Sequence, residues 1–218
     1  KHAGYTKVLA ICLSGGLSGT CNLVRLIGEQ TVGLEVATFD SLSGSLGIGM
    51  SVVQAARWIE AGWSWGELLR AMPALLQDTH VFFCVDTLEY LQKGGRIGKI
   101  AAVAGTLLQI KPIISFTPEG ELVSVAKIRG RKAAMQKMVQ MATALVPRNV
   151  PFNLAVAHGD APAELREIRD LAQKSLPDYL GFTEGEIDCT LGAYVGPHLL
   201  GVGVQMLTEA LHAAGREN

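Results

Sequence analysis

The sequence has 218 residues, enough for one large domain or two smaller ones with a core that needs neither metal nor disulfide. Hydrophobic residues make up 49% of the chain, the net charge is −1, and there is no long basic block, which argues against a nucleic-acid partner. No run of about 18 apolar residues is free of charges and turn residues, so we expect no stable membrane insertion.

The four cysteines do not follow a metal-binding or disulfide pattern. Cys12, Cys21, Cys84 and Cys189 form no C-x-x-C pair, so we expect no metal site and no cofactor. Three of them lie in apolar sequence and are predicted to be small buried hydrophobic residues. Because no secretory signal opens the chain, we expect a reducing, cytoplasmic environment.

The first part of the chain is predicted to alternate between strands and helices, in the pattern of a parallel sheet with helices on both faces. The predicted elements are strands at 7–14 and 34–40, helices at about 20–30 and 64–79, and, within 41–62, a Ser/Gly turn followed by a helix that ends at Gly62.

The remainder changes pattern, because two strands on either side of "PEG" at 118–120 predict an antiparallel hairpin. We therefore expect an α/β protein of two domains. Residues 1–79 form an incomplete N-terminal parallel-sheet domain, and residues 80–218 form a C-terminal domain with a mixed or antiparallel sheet flanked by helices. The predicted C-terminal elements are strands at 80–87, 110–117, 121–127 and 152–159, helices at 131–145 and 161–175, and a strand–turn–helix segment at about 181–212.

Two loops rich in Ser and Gly follow the two N-terminal strands. "LSGGLSGT" (13–20) offers the hydroxyls of Ser14, Ser18 and Thr20, while Gly15 and Gly19 allow close approach to the backbone. Backbone N–H groups and a helix N-terminus at such a point favour an anionic group.

The second loop, "DSLSGSLGIG" (40–49), has the same composition and adds Ser41 and Ser43. Ligands collect beyond the carboxyl ends of parallel strands, so the two loops are predicted to face one small site. Neither loop matches a nucleotide-binding motif or a nucleophile elbow. Turns and helix caps remain the other interpretation of these residues.

Four stretches together resemble the DegV family of fatty-acid-binding proteins. They are "LSGGLSGT", "DSLSGSLGIG", the long segment "VDTLEYLQKGGRIGKIAAVAGTLLQIKPIISFTPEGELVSVAKIRGRKAA" at 85–134, and "GPHLLGVG". The resemblance implies two α/β domains around one long-chain fatty acid. It also implies that the protein presents the acid to a separate fatty acid kinase, which makes acyl-phosphate for phospholipid synthesis.

Two departures from the family pattern fall in the implied carboxylate site. The family's S-S-x-L-S-G-T begins here with Ser14, but Gly15 replaces the second serine. The family's G-x-H-x-G-P-G-A-L-G reads "GAYVGPHLLG", so Tyr194 holds the histidine position and His198 a glycine position. An earlier segment that supplies the family's carboxylate-binding threonine is missing, which favours the interpretation of a fragment.

By this resemblance the carboxylate site comprises Ser14, Gly15, Ser18, Gly19, Thr20, Ser41, Ser43, Tyr194 and His198. Arg96, Arg129 and Arg131 are predicted to face the kinase or a phosphate, for which guanidinium is well shaped. A solvated charged surface is the alternative. The apolar stretch 101–114 and the strand from Val81 to Val85 are candidates for the tunnel wall.

The sequence contains no evident nucleophile–base or acid–base arrangement, so we expect a binding protein rather than an enzyme. The alternative is an enzyme or sensor for a phosphorylated small molecule that uses the Ser/Gly/Thr loops as an anion site. A truncated relative with only a structural role is a third interpretation.

Overall fold

The computed structural model describes residues 3–103 and 110–216. These residues form eight strands and eight α-helices, with a short 3-10 helix at Gly98–Val103. The elements are β1 (Lys7–Cys12), α1 (Thr20–Gln30), β2 (Glu35–Asp40), α2 (Leu46–Glu60), α3 (Trp65–Gln77), β3 (Thr79–Cys84), α4 (Glu89–Lys93), β4 (Ile110–Phe116), β5 (Leu122–Arg129), α5 (Arg131–Leu145), β6 (Phe152–Gly159), α6 (Pro162–Ser175), β7 (Gly181–Glu186), α7 (Cys189–Val195), β8 (Leu199–Met206) and α8 (Thr208–Ala214).

The strands form two sheets. β1 and β2 pair in parallel, in a register that places Lys7 beside Glu35 and Cys12 beside Asp40. The other six strands form a mixed sheet of order β5-β4-β3-β8-β6-β7, in which β6 and β7 are parallel and the other pairs antiparallel. The predicted α/β class, with a parallel first sheet and a mixed second sheet, is confirmed.

Strand alternation divides the residues of the second sheet between two faces. Phe82, Val156 and Val202 pack against the apolar sides of α5 and α6 in the largest core cluster. On the opposite face, α2 packs against β3, β6 and β8. This second face is only partly covered by α2, and the site described below lies on it.

The change from one sheet to the other occurs at Thr79, where β3 begins. Helices of the first part nevertheless pack on the second: α2 lies on the six-stranded sheet, and α3 packs along α8. The division into domains at residues 79 and 80 therefore stays a prediction.

The C-terminal segment differs from the expected single strand–turn–helix, since 181–214 holds β7, α7, β8 and α8. β7 has a polar sequence, GFTEGE, and lies at the edge of the sheet with its C-terminal half exposed. The antiparallel β4–β5 hairpin is confirmed, as is the burial of Cys12, Cys21 and Cys84, with Cys189 exposed.

Candidate functional site

A cavity of about 250 Å³ lies between the loops that follow β1 and β2 and the face of the six-stranded sheet that α2 leaves open. Most of its lining side chains are apolar, which makes it suited to a hydrocarbon ligand. The lining residues are Leu13, Leu17, Ser18, Thr20, Gly44, Ser45, Leu46, Val81, Phe83, Leu91, Arg96, Phe116, Leu122, Ala157, Ile187, Thr190, Leu191, Tyr194, Val195, Leu199 and Gly201.

The floor of this cavity, which we call the tail cavity, is the six-stranded sheet itself. Phe83 of β3, Ala157 of β6 and Gly201 of β8 all point to this side because their sequence neighbours point toward α5 and α6. Gly201 has no side chain, and a Cβ atom built there would be 3.6 Å from its nearest neighbours. The floor is therefore apolar, and the absence of a side chain at Gly201 leaves additional space above that part of the sheet.

The mouth of the tail cavity consists of its more exposed and more polar lining residues, which are Ser18, Thr20, Arg96, Thr190 and Tyr194. Arg96 is the one charged side chain among the lining residues of the described chain. An apolar interior with polar groups at one end is the form expected of a site for an amphipathic molecule.

Arg96 is held in a fixed orientation at this mouth. Its Nε donates a hydrogen bond to the carbonyl of Leu17 at 3.1 Å, and one terminal nitrogen donates to the carbonyl of Gly94 at 2.9 Å. The guanidinium lies 5.0 Å from the centre of the Tyr194 ring, a cation–π contact. The other terminal nitrogen has no hydrogen bond among those of the described residues, so the group retains donors for an anion.

Ser14, at the start of the first loop, does not line the tail cavity. It is fully buried, and its hydroxyl donates to the carbonyl of Gly120 at 2.7 Å while accepting the N–H of Gly16 at 3.1 Å. Gly120 lies in the turn between β4 and β5 with φ of +77°, and a side chain there would collide with the Ser14 hydroxyl. In this structure Ser14 fastens the loop to the second sheet.

In the rest of the first loop, Gly15 contacts Asp40, and Ser18 and Thr20 line the mouth. The N–H of Gly15 donates to Asp40 Oδ2 at 3.0 Å, and a Cβ atom at Gly15 would be only 2.7 Å from that oxygen. Ser18 and Thr20 lie at the mouth with their hydroxyl oxygens 2.9 Å apart. Gly19 is exposed beside them, with open space around its Cα atom.

The second loop directs its predicted serines away from the tail cavity. Ser41 and Ser43 are buried and bond to each other, with the Ser41 hydroxyl 3.1 Å from the Ser43 carbonyl and 3.2 Å from the Ser43 N–H. Both line a neighbouring cavity instead. The residues of this loop that reach the tail cavity are Gly44, Ser45 and Leu46.

The C-terminal pair of predicted site residues is separated. Tyr194 is at the mouth beneath Arg96. His198 is exposed in a left-handed conformation with φ of +59°, and it does not line the tail cavity. Its carbonyl accepts a hydrogen bond from Arg131.

The three arginines predicted to face a partner have different environments. Arg96 lies at the mouth, while Arg129, at the end of β5, is exposed. Arg131 forms a two-pronged ion pair with Glu164, at 2.5 and 2.9 Å, and its third nitrogen is buried without a partner. Their roles toward a partner stay predictions.

Several lining residues had no signal in the sequence. Leu13 and Leu17 lie within the first loop among its Ser and Gly residues, and Thr190 and Leu191 belong to α7, which Asp188 caps by accepting the N–H of Leu191 at 2.9 Å. Of the expected wall segments, Val81 and Phe83 line the tail cavity. Residues 101–102 and 110–114 do not, and the side chains of 103–109 lie outside the described part of the chain.

The described residues hold neither a metal-ion cluster nor a membrane-spanning helix. Among residues 3–103 and 110–216, no three side chains of His, Cys, Asp or Glu are grouped as a metal ion would require. No helix in the same residues combines the length and apolar character needed to cross a bilayer.

Comparisons with known proteins point to one family. A family model described as an uncharacterised protein of the DegV family matches residues 1–206. A DegV domain-containing protein of Clostridium acetobutylicum is 38% identical over 203 residues, which cover 93% of this chain and 72% of that protein. Another from Clostridium perfringens is 35% identical over 202 residues, covering 93% of this chain and 71% of the relative.

Solved structures agree with this assignment. A fatty-acid-binding DegV family protein of Thermus thermophilus superimposes with a TM-score of 0.86 at 29% identity, over 94% of this chain and 73% of that protein. DegV of Bacillus subtilis, described as a fatty-acid-binding protein, superimposes with a TM-score of 0.82 at 27% identity, over 94% of this chain and 72% of that one.

Proposed function

Because the chain belongs to the DegV family, we propose that it binds a long-chain fatty acid, with the acyl tail in the tail cavity and the carboxylate at its mouth. The observation that carries the proposal is the pairing of an apolar cavity with the Arg96 cation at its mouth. Fatty-acid binding by the structurally similar proteins of T. thermophilus and B. subtilis supports it.

The tail would supply most of the affinity. Each buried methylene is worth about 0.8 kcal/mol, and the floor and sides of the cavity offer aliphatic and aromatic contacts such as Phe83, Leu122 and Leu199. No lining residue other than Arg96 carries a charge within the described chain, so no charge in the wall opposes burial of a hydrocarbon.

The carboxylate would be bound by Arg96, with hydroxyl donors from Ser18, Thr20 and Tyr194 around it. A guanidinium held by two carbonyls and an aromatic ring loses little freedom when it binds an anion, which favours charge-assisted hydrogen bonds. In this proposal Arg96 is a ligand of the acid, and Ser14 acts by positioning the loop.

Presentation of the acid to a kinase is the second part of the proposal. A carboxylate bound at the mouth, rather than within the cavity, would be open to a phosphoryl-transferring partner. The exposed guanidinium of Arg129 is free to contact such a partner, and chemistry would belong to the partner.

The alternative, a phosphorylated small molecule, is less well supported. Its phosphate would have the same cation and hydroxyls, but a hydrophilic remainder would face Phe83, Phe116 and Leu199 and leave its polar groups unpaired.

The test is extraction of the purified protein with organic solvent and mass spectrometry of the extract. The proposal predicts one long-chain acid per protein molecule, and protein stripped of lipid should take up a fatty acid added to it. A hydrophilic phosphate ester without lipid, together with no uptake of the acid, would contradict the proposal and support the alternative.

The role of Arg96 has its own test. Arg96→Ala removes a group that makes charge-assisted hydrogen bonds to the carboxylate. The substitution should therefore weaken fatty-acid binding by about 10- to 100-fold. Arg129→Ala is the matched control for binding and should retain it, while acyl-phosphate formation by the kinase falls. Equal loss of binding and acyl-phosphate formation in Arg129→Ala would refute a docking role for that residue.

A further inference from the structure

A second cavity of about 620 Å³ adjoins the tail cavity. It lies between the end of β2, the second half of α3, the start of β3 and the β4–β5 turn. Its wall mixes apolar side chains, including Phe39, Pro73 and Leu76, with polar groups such as His80 and Ser115. Burial lowers the pKa of His80 below its usual value, which favours the neutral imidazole on this wall.

The two cavities share wall residues. Val81 and Phe116 line both, so the partition at this point is one side chain thick. The polar tail-cavity mouth, with Arg96 and Tyr194, belongs to the tail cavity alone. A ligand tail that enters at the mouth and runs inward along the sheet would therefore meet this partition.

The partition exists because β3 and β4 separate. Their ladder contains only the pairs Phe83–Ile114 and Cys84–Ile113, whereas β3 pairs with β8 along its full length. Beyond the ladder, the hydroxyl of Ser115 donates to the carbonyl of Val81 at 2.8 Å and links the two strands. Phe116 follows immediately in the chain and lines both cavities.

The volume of the tail cavity sets a limit on the ligand. An apolar cavity of about 150 Å³ accommodates the six carbons of benzene, or about 25 Å³ per carbon. On that scale, a cavity of about 250 Å³ accommodates roughly ten carbons. A saturated tail of about sixteen carbons needs roughly 400 Å³, more than the tail cavity provides.

We propose that Phe116, together with Val81, determines the length of the acyl chain that the protein accepts. About ten carbons fill the tail cavity, and a longer tail fits only when the Phe116 ring moves into the second cavity. This inference rests on the proposed function, since it assigns an acyl tail to the tail cavity.

The surroundings of Phe116 permit such a movement. The ring is half-buried and meets Phe83 in a tilted contact with centroids 6.3 Å apart. At its tip it faces Gly44, where a Cβ atom would be 3.4 Å from the ring. The same residue also lines the second cavity, so empty space adjoins it there.

Phe116→Ala tests the inference by joining the two cavities. Decanoate and hexadecanoate are each titrated against lipid-free protein in competition with a fluorescent fatty-acid analogue. The ratio of their dissociation constants should shift in favour of hexadecanoate by about tenfold relative to the unmodified protein, as two more buried methylenes would give. Val81→Ala, on the other side of the partition, should shift the ratio in the same direction by a smaller factor.

Phe182→Ala is the matched control, because Phe182 is a partly buried phenylalanine that packs in the α5–α6 core cluster. It should leave the ratio unchanged. A shift of less than threefold in both Phe116→Ala and Val81→Ala, with hexadecanoate still bound by the unmodified protein, would overturn the inference and leave the proposed function intact. Failure of the unmodified protein to bind either acid would overturn both.

Discussion

The two Ser/Gly loops have nearly the same composition but different contacts. The first, at 13–20, commits Ser14 to the β4–β5 turn and leaves Ser18 and Thr20 at the mouth of the tail cavity. The second, at 40–49, bonds the Ser41 hydroxyl to the backbone of Ser43 and contributes Gly44, Ser45 and Leu46 to the wall of the cavity. The first loop therefore has a fastening end at Ser14 and a binding end at Ser18 and Thr20. The hydroxyls of Ser41 and Ser43 in the second loop face away from the tail cavity.

This difference shows that a hydroxyl in a loop is a potential ligand only if the loop itself does not use it. Ser14 is buried and its hydroxyl has two partners, and the Ser41 hydroxyl likewise has two, the carbonyl and the N–H of Ser43. A buried hydroxyl that is already satisfied gives up those bonds when it binds something else, which cancels most of the gain.

The largest effect on stability is expected at the fastening end of the first loop. Ser14→Ala leaves the Gly120 carbonyl and the Gly16 N–H without their partner, which should cost about 2 kcal/mol in the free energy of unfolding. For a chain of this size, that lowers the melting temperature by about 4–8 °C. Calorimetry measures the change.

Ser18→Ala is the control at the binding end of the same loop. Its half-exposed hydroxyl bonds only to Thr20, so the melting temperature should stay nearly unchanged while acid affinity falls. Equal destabilisation by the two substitutions would contradict the distinction between the ends.

A smaller effect is expected where the first loop meets the carboxylate that ends β2. Gly15→Ala places a methyl group against Asp40 Oδ2 and weakens the hydrogen bond from the Gly15 N–H, at a cost of about 1 kcal/mol. Because the cost arises from one contact, Gly15→Ala combined with Asp40→Ala should be less destabilising than the sum of the two changes. Urea unfolding of the four proteins measures this, and strict additivity would show that the contact is not the cause.

The sequence predicts the fold better than it predicts the site. Apolar runs and the hairpin signal predict both sheets, because hydrophobic periodicity is a local property. The site depends on pairs distant in sequence, such as Ser14 with Gly120 and Arg96 with Tyr194, which no local pattern records. The sequence therefore predicts Arg96 only as a partner-facing residue, which stays a prediction, and does not predict its position at the tail-cavity mouth.

The second loop should respond less than the first. Ser41→Ala removes hydrogen bonds of 3.1 and 3.2 Å within the loop and should cost about 0.5–1 kcal/mol, with acid affinity unchanged. Thermal unfolding and the competition titration measure the two quantities. A loss of affinity as large as that of Ser18→Ala would assign the second loop a direct part in binding.

A loss of stability at low pH is expected from a residue outside both loops, Glu67 at the start of α3. The hydrogen bond from Arg216, with those from Ser64, lowers the pKa of Glu67 to about 2 from 4.5. A carboxyl group with a lowered pKa stabilises the fold above its unfolded value, so this contribution is lost as the pH falls from about 4.5 toward about 2. Glu67→Gln should flatten the stability curve in that range without changing acid affinity, as denaturation at several pH values would show. An unchanged curve would contradict this assignment.

The most direct test of the central claim is an experimental structure of the protein with a fatty acid bound. The account predicts a carboxylate in hydrogen-bonding contact with the Arg96 guanidinium at the mouth, and a tail that runs over Phe83 and Gly201 toward Phe116. A carboxylate bound at Ser41 and Ser43, or a tail cavity that stays without ligand while the acid binds elsewhere, would contradict it.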